Sequence, residues 1–327
     1  MADLHSHSSL PRLPLREPTG HKGTFGTVAV LGGCAAKPDP EGPEPTPQRM
    51  IGGPALAALA ALRCGCGLAR LVMPEPIIDA ALTIAPSATG IPLPVDHRHG
   101  IVPHSAAEVI DHLLDTASCI AVGPGLGVSD GARAAAFRCI AQDELPVVVD
   151  ADALNNLAHL PELTRDFRAP AVLTPHLGEF RRLASDRSLN IGIEVRDEAG
   201  QSRAAEALAQ RLGCVVVLKS ATTVVSDGQT TWVHAGPNPA LATAGTGDVL
   251  TGVIASFIAQ FFGRGNAGRA SGGLSLLDCA RLGVAAHARA ARLWCARREA
   301  SAGLLASDLV DELPEAVEWL RGSGGRG

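Results

Sequence analysis

The sequence predicts an α/β protein, with a central, mostly parallel sheet covered by helices on both faces. Short runs rich in β-branched residues recur along it: TVAVLG (27–32), SCIAVG (118–123), PVVVD (146–150), AVLT (171–174) and CVVVLK (214–219). They are apolar throughout rather than alternating, which is the pattern of strands buried on both faces. Ala- and Leu-rich segments of helical length separate most of them, as in a sheet whose parallel neighbours are joined by crossover helices.

The elements follow in order. Residues 1–20 read as an irregular leader, and TVAVLG is a first strand that ends at Gly32 and Gly33. AAKPDPEGPEPTPQ (35–48) carries five prolines, each without an N–H and with a fixed φ, so neither helix nor sheet can form and an exposed loop is expected. GGPALAALAALRCG (52–65) is a helix broken by Gly65, and LARLVMP (68–74) a strand stopped by proline. Strand 118–123 runs into GPGLG (123–127) and an Ala-rich helix, and strand 146–150 into Ala-Asp-Ala and LNNLA (154–158). Strand 171–174 runs into Pro175-His176 and a helix around GEFRRLA (178–184). A helix near 196–212 precedes strand 214–219, and TTVVS with TTWVHA forms a hairpin around Asp227-Gly228. Long helices fill 243–262, 275–298 and 306–320. No linker divides the pattern. Residues 21–320 read as one domain with loop insertions at 35–48 and 263–273, followed by a flexible tail at 321–327.

Composition narrows the class. The 327 residues are 46% apolar and 19% charged, a globular balance. Against 33 acidic residues stand 28 basic ones, with no basic stripe carrying interleaved aromatics, so no nucleic acid is expected. The N-terminus lacks an apolar signal core and no run of about 20 apolar residues could span a bilayer. A cytoplasmic protein without a membrane partner is expected. The eight cysteines form no C-x-x-C pair and no zinc spacing, which points to small buried thiols. Only Lys22, Lys37 and Lys219 among the basic residues are lysines. A chain that otherwise prefers arginine retains lysine where a compact ammonium is wanted.

In open parallel sheets ligands bind beyond the carboxyl ends of the strands. The residues at those ends are Gly32-Gly33, Gly123-Pro124-Gly125, Asp150 and Asp152, Thr174-Pro175-His176, and Lys219-Ser220. A His, two Asp and a Lys on one rim point to a shared site rather than to turns alone. The stretch ATAGTGDVLTGVIASFIAQ (242–260) adds to it. Gly245 and Gly247 leave backbone N–H groups bare at a helix N-terminus, where they and the dipole favour an anion such as phosphate. Asp248 would repel a resting phosphate unless aimed at a neighbouring hydroxyl whose proton it takes. Phosphoryl transfer fits this layout, although an Asp that merely favours the helix dipole remains the alternative. The Gly-Lys-Ser/Thr of a Walker A loop is absent.

Seven segments stand in one order: HKGTFGTVAVLGG (21–33), GGPALAALAALRCGCGLARL (52–71), GPGLG (123–127), VVVDADALNNL (147–157), LTPHLGEFRRL (173–183), VVVLKSATTVV (215–225) and LATAGTGDVLTGVIASFIAQ (241–260). Together they resemble the ADP-dependent NAD(P)H-hydrate dehydratase family, which has a ribokinase-like fold. The resemblance covers roughly residues 20–298 and is to the stand-alone form, without the N-terminal epimerase domain that often accompanies it. It implies a hydro-lyase that repairs the (6S) hydrates NADHX and NADPHX. ADP, or ATP in its place, phosphorylates the added hydroxyl with Mg2+, and loss of phosphate restores NADH or NADPH with release of AMP. By motif match, Gly53, Gly125, His176 and Asp248 would touch the hydrated nucleotide. Lys219, Ser220, Ala221, Thr222 and Thr223, with Gly247, would hold the adenine nucleotide. Gly245, Thr246 and Gly247 would form the anion hole, and Asp248 matches the general base. Asp150, Asp152 and Asn155 stay open between helix capping and positioning of magnesium and phosphate; no metal ligand is assigned. Lys22 stays open between a structural turn and a phosphate contact. The resemblance also implies a homo-oligomer, a tetramer, and a separate epimerase in the same pathway. The chain departs from the family pattern at Gly53, Ser220 and Cys34, and has no tyrosine.

Two other functions share the Gly-Thr-Gly-Asp pattern. One is a small-molecule kinase of the same fold acting on a vitamin-precursor alcohol. The other is a non-catalytic nucleotide-binding regulator, against which the intact Asp248 counts.

Overall fold

A computed structural model describes residues 10–35, 49–185, 189–262 and 273–322. Within these residues nine strands form one sheet in the order β3-β2-β1-β4-β5-β6-β7-β8-β9. They are β1 (Thr27–Leu31), β2 (Leu68–Pro74), β3 (Thr89–Leu93), β4 (Cys119–Val122), β5 (Val147–Val149), β6 (Ala171–Leu173), β7 (Val215–Lys219), β8 (Thr223–Ser226) and β9 (Thr231–His234). All neighbours from β3 through β7 run parallel, and β7-β8 and β8-β9 are antiparallel. The mostly parallel sheet and the hairpin around Asp227-Gly228 both match the sequence reading.

The helices are α1 (Gly52–Arg63), α2 (Glu75–Ile84), α3 (Pro103–Thr116), α4 (Asp130–Ile140), α5 (Ala151–Leu157), α6 (Leu163–Asp166), α7 (Leu177–Ala184), α8 (Glu198–Leu212), α9 (Thr246–Phe261), α10 (Leu276–Arg298) and α11 (Ala306–Gly322). Strand side chains alternate between two cores. Val28, Val30, Ala121, Val148 and Val217 pack with α1, α2, α9, α10 and α11. Ala29, Leu31, Val122, Val149 and Leu218 pack with α3, α4, α5, α7 and α8. Because both faces are covered, the strands read as unbroken apolar runs.

The stretch 75–116 contains three elements that the sequence pattern does not announce. β3 is TGIPL and mostly exposed; its Gly90 and Pro92 suppress a strand signal, and proline is tolerated there because β3 lies at the sheet edge. α2 and α3 flank it on opposite faces. At the N-terminus, Leu13 is buried and its N–H donates to the Leu320 carbonyl at 3.3 Å. Arg321 Nε donates to the Pro14 carbonyl at 3.3 Å. The described part of the leader is therefore anchored, and α11 continues through residue 322 into the expected tail. The proline loop from 36 to 48, the insertion from 263 to 272 and the last five residues lie outside the described residues. No helix among the described residues is long and apolar enough to cross a membrane. Seven of the eight cysteines are buried, Cys295 is half-buried, and none is in a disulfide.

Two features place the rim. The strand order reverses between β1 and β4, the place at whose carboxyl ends a doubly wound sheet binds its ligands as a rule. α9 is buried nearly all round, between the sheet, α1 and α10. Gly252 lets it close on α1: a Cβ there would stand 2.1 Å from the Ala57 carbonyl oxygen. That approach brings the starts of α1 and α9 together.

Candidate active site

α9 begins at Gly245, whose φ of 91° is left-handed and favours glycine. The Thr246 hydroxyl donates to the carbonyls of Leu241 and Thr243, each at 2.9 Å, and fixes the preceding loop. His287 of α10 donates from Nε2 to the Thr246 carbonyl at 2.8 Å, since a carbonyl can only accept. Burial holds His287 down at about 4, so the ring is neutral at neutral pH. Among the described residues, the N–H groups of Gly245, Gly247 and Asp248 meet no acceptor. These bare donors lie on the positive end of a 16-residue helix and make a cradle of the kind that favours an anion. The Thr246 hydroxyl is turned away from it.

Asp248 is half-buried beside the cradle, and its carboxylate lies against Gly53, the second residue of α1. A Cβ on Gly53 would stand 3.1 Å from Asp248 Oδ1. No hydrogen-bond donor among the described residues reaches this carboxylate. The capping position belongs to Gly245, so Asp248 is not the residue that caps the helix. Burial first, and then the charge of Asp150, push its pKa up to about 7, while Lys219 pulls the other way.

Lys219 ends β7 and Asp150 follows β5. Lys219 Nζ donates to Asp150 Oδ1 at 2.8 Å, and Thr251 of α9 donates to Asp150 Oδ2 at 2.7 Å. Burial opposes both charges. The pairing outweighs it, so Asp150 stays below the usual carboxylate range and Lys219 above the usual amine range. Asp150 thus occupies the first position before α5 without capping it. Asp152, inside the first turn of α5, is not the cap either. It accepts from Gly127 N–H at 2.9 Å and from Asn155 Nδ2 at 3.3 Å. Asn155 accepts in turn from Arg182 at 2.5 Å. Between the aspartates Ala151 has φ 48°, a left-handed conformation uncommon for alanine, and the two carboxylates go to different partners.

The loop 123–127 carries three left-handed glycines, and a Cβ on Gly125 would meet the Met50 Cβ at 2.9 Å. His176 caps α7: Nδ1 accepts from the N–H groups of Gly178 and Glu179, and the Glu179 carboxylate accepts from the His176 N–H. Nδ1 is therefore an acceptor. Burial and the Lys219 charge lower the His176 pKa, so Nε2–H of a neutral ring faces Glu179 Oε1 at 3.3 Å. Even so, half of its side chain is exposed on the rim. Its backbone bridges Lys219. Lys22 is the exception among the marked residues. It precedes β1 at the opposite end of the strands, where Gly26 abuts the Ala259 carbonyl near the far end of α9. The phosphate reading of Lys22 is overturned by that topology.

A cavity of about 640 Å³ adjoins the cradle. Lys219, Ser220, Ala221, Thr223 and Gly247 border it, together with the apolar Leu250 and Val284. Thr222 does not: its hydroxyl, like that of Ser220, donates to Gln201 Oε1. Gln201 is a buried residue of α8 whose Nε2 donates to the carbonyls of Leu218 and Thr222, at 2.8 and 3.0 Å. One amide thus shapes the 219–223 turn. The sequence gives no sign of this, nor of His234 and His287 at the cavity wall. A lone Gln in an amphipathic helix reads as solvent-facing.

A family model described as NAD(P)H-hydrate dehydratase matches residues 47–315. The chain belongs to this family. It is 37% identical to a bifunctional NAD(P)H-hydrate repair enzyme from Salinibacter ruber, over 96% of this chain and 52% of that protein. The chain therefore spans about half the length of the bifunctional relatives it matches. An ADP-dependent (S)-NAD(P)H-hydrate dehydratase from Xanthomonas campestris pv. campestris is 31% identical over 96% of this chain and 95% of its own length. Among solved structures, an ADP/ATP-dependent NAD(P)H-hydrate dehydratase from Bacillus subtilis, co-crystallised with ATP and Mg2+, superposes with a TM-score of 0.70. It is 28% identical, with 94% of this chain and 95% of that chain covered. The architecture is the ribokinase-like one expected from the seven motifs.

Proposed function

We propose that this chain regenerates NADH and NADPH from their hydrates with ADP as phosphoryl donor. One observation supports it most. A half-buried carboxylate with no hydrogen-bond partner among the described residues stands beside bare helix N–H groups, next to a cavity of about 640 Å³. A carboxylate adjoining an anion cradle suits deprotonation of a hydroxyl that attacks phosphorus.

The adenine nucleotide would lie in the cavity against the 219–223 turn. Its phosphates would accept from the N–H groups of Gly245, Gly247 and Asp248, which also meet the charge that develops on transfer. The hydrate would enter from the crevice side, bounded by Gly53, Gly125 and His176. Asp248 takes the proton of the added hydroxyl while its oxygen forms a bond to the ADP β-phosphorus, and AMP leaves with the electrons of the broken P–O bond. The ring nitrogen lone pair then expels phosphate from carbon, and loss of the neighbouring C–H proton restores the dihydropyridine. Water removed from the hydrate thus ends up in AMP and phosphate.

Magnesium is implied by the family. Among the described residues no group of three or more His, Cys, Asp or Glu could hold a metal. That donor set suits an ion carried on phosphate oxygens with one or two carboxylates completing it. Asp152 is the carboxylate that would face it, since Asp150 is engaged by Lys219 and Thr251, and the ion would offset phosphate charge.

The decisive experiment supplies NADH hydrate with ADP or ATP and follows reduced-nicotinamide absorbance together with free phosphate. Absorbance that returns without a stable phosphorylated product supports the dehydratase. A phosphorylated product that accumulates would instead mean a kinase. ADP is expected to support faster turnover than ATP, and the reverse order at equal concentration would refute that choice of donor.

The ionisation of Asp248 sets an expected pH profile. A base works deprotonated, so kcat/KM should rise with pH, reach half its maximum near pH 7 and stay level above. A profile already flat from pH about 5 would show that no such group limits the reaction. Gln201→Leu should release the 219–223 turn and raise the nucleotide KM about tenfold, with kcat changed much less. A folded Gln201→Leu protein with the wild-type nucleotide KM would show that the turn holds its shape without the amide.

A further inference from the structure

The wall of the cavity holds a hydrogen-bond acceptor that the reaction above does not use. α10 turns Val284, His287 and Ala288 toward the cavity, and their i, i+3, i+4 spacing puts them on one helical face. His287 Nε2 lies 2.8 Å from the Thr246 carbonyl oxygen. A carbonyl only accepts, so Nε2 carries the proton, and in the neutral ring Nδ1 is left as a bare lone pair. Nδ1 meets no donor among the described residues, yet it is not sealed inside protein. His287 is 8% exposed and borders the cavity. The polar groups around it are committed otherwise. Lys219 and Arg292, which border the same cavity, can only donate, and Asn238 Oδ1 already accepts from the Ala240 N–H at 3.1 Å.

We propose that His287 is a specificity-determining residue whose Nδ1 accepts a hydrogen bond from a ribose hydroxyl, so that the site distinguishes ribonucleotides from deoxyribonucleotides. The inference rests on the reading above, in which an adenine nucleotide fills the cavity with its phosphates at the cradle. The fold sets where along the nucleotide His287 falls. Thr246, whose carbonyl the ring holds, immediately precedes Gly247, one of the residues whose bare N–H groups make the cradle. In a nucleoside diphosphate the ribose is joined directly to the phosphates and the base lies beyond it. A side chain one hydrogen bond away from the cradle therefore meets the ribose first. Arg292 borders the cavity further along α10, about 7.5 Å on at the rise of an α-helix. The base has its room there, between Arg292 and the turn at Pro237 and Asn238. A ribose hydroxyl needs an acceptor for its proton, which backbone N–H groups, an ammonium and a guanidinium cannot supply.

The test measures dissociation constants by calorimetry, without hydrate, for ADP, 2'-deoxy-ADP, 3'-deoxy-ADP and inosine diphosphate. It compares the wild-type chain with His287→Phe, which keeps a ring of similar shape but has no acceptor. One of the two deoxy analogues should bind the wild-type chain about three- to tenfold more weakly than ADP, the contribution of one hydrogen bond between neutral groups. In His287→Phe that gap should close to within about twofold, with ADP falling to the level of the analogue. A ring that only ties α10 to α9 predicts a common loss for all four ligands with the wild-type gap preserved, and that result would overturn the proposal. If the gap that closes is instead the one between ADP and inosine diphosphate, Nδ1 meets the 6-amino group of the base and the ribose assignment is wrong. If His287→Phe does not fold, the smaller His287→Leu is read in the same way. Wild-type binding of both deoxy analogues as tight as that of ADP overturns the proposal without any variant. Failure of the wild-type chain to bind ADP at all is a separate result, which refutes the nucleotide site itself and the inference with it.

Discussion

Asp248→Asn is expected to lower turnover by about 100- to 10,000-fold, the usual contribution of a general base. Asn keeps the size of the side chain and its contact with Gly53 but cannot take a proton. Nucleotide affinity should hold or rise, because one negative charge beside the phosphates is gone. Stability should move the other way from activity. The folded pKa of about 7 lies above the ordinary aspartate value of 3.8. The native state therefore holds a proton that the unfolded chain has already lost, and stability falls as pH climbs through that window. Above it the buried carboxylate is a standing cost that Asn removes, so the variant should melt roughly a few degrees higher at pH 8. Turnover near wild type in a folded, ADP-binding Asp248→Asn protein would reject Asp248 as the base.

Gly252→Ala is expected to be severely destabilising, although alanine is the better helix former. The helical gain is about 1 kcal/mol. Against it, the new Cβ would lie 2.1 Å from the Ala57 carbonyl oxygen, far inside contact distance, and α1 and α9 would have to part. Overpacking of this kind costs about 1–3 kcal/mol and more where backbone is the obstacle, so a net loss of roughly 2 kcal/mol or more should appear as a lower melting temperature. Function should suffer beyond that. Gly53 and Asp248 sit at the meeting point of the two helices, and a shift of about 1 Å there can cost about 100-fold in rate. An unchanged melting temperature would mean that the two backbones are not held this close.

The periodic signal of buried strands carried most of the fold. Runs such as VVV at 147–149 are apolar on both faces because helices cover both, and that requirement is local enough to read from sequence. β3 was illegible for the complementary reason: an edge strand needs neither a continuous apolar run nor every N–H, so TGIPL carries no mark of a strand. At the site, the glycines were legible where conformation demands them, as at Gly245. Roles that depend on partners were not. Thr222 lies in the matched motif but spends its hydroxyl on Gln201 of α8, and Lys22 lies in a matched motif at the wrong end of the sheet.

The sequence by itself determined that glycine-rich turns and a few charged residues would collect along one rim of a parallel sheet, since strand ends in such a sheet face the same way. It also determined that Asp248 would start the most apolar helix. Only the tertiary structure decided what those charges are. Asp150 meets Lys219 across 69 residues of chain and Thr251 across 101. Asp248 meets no hydrogen-bond donor among the described residues, and burial with the charge of Asp150 raises it to about 7. Ionisation is set by burial and by charges within a few ångströms, and folding brings these together from segments that no local pattern connects.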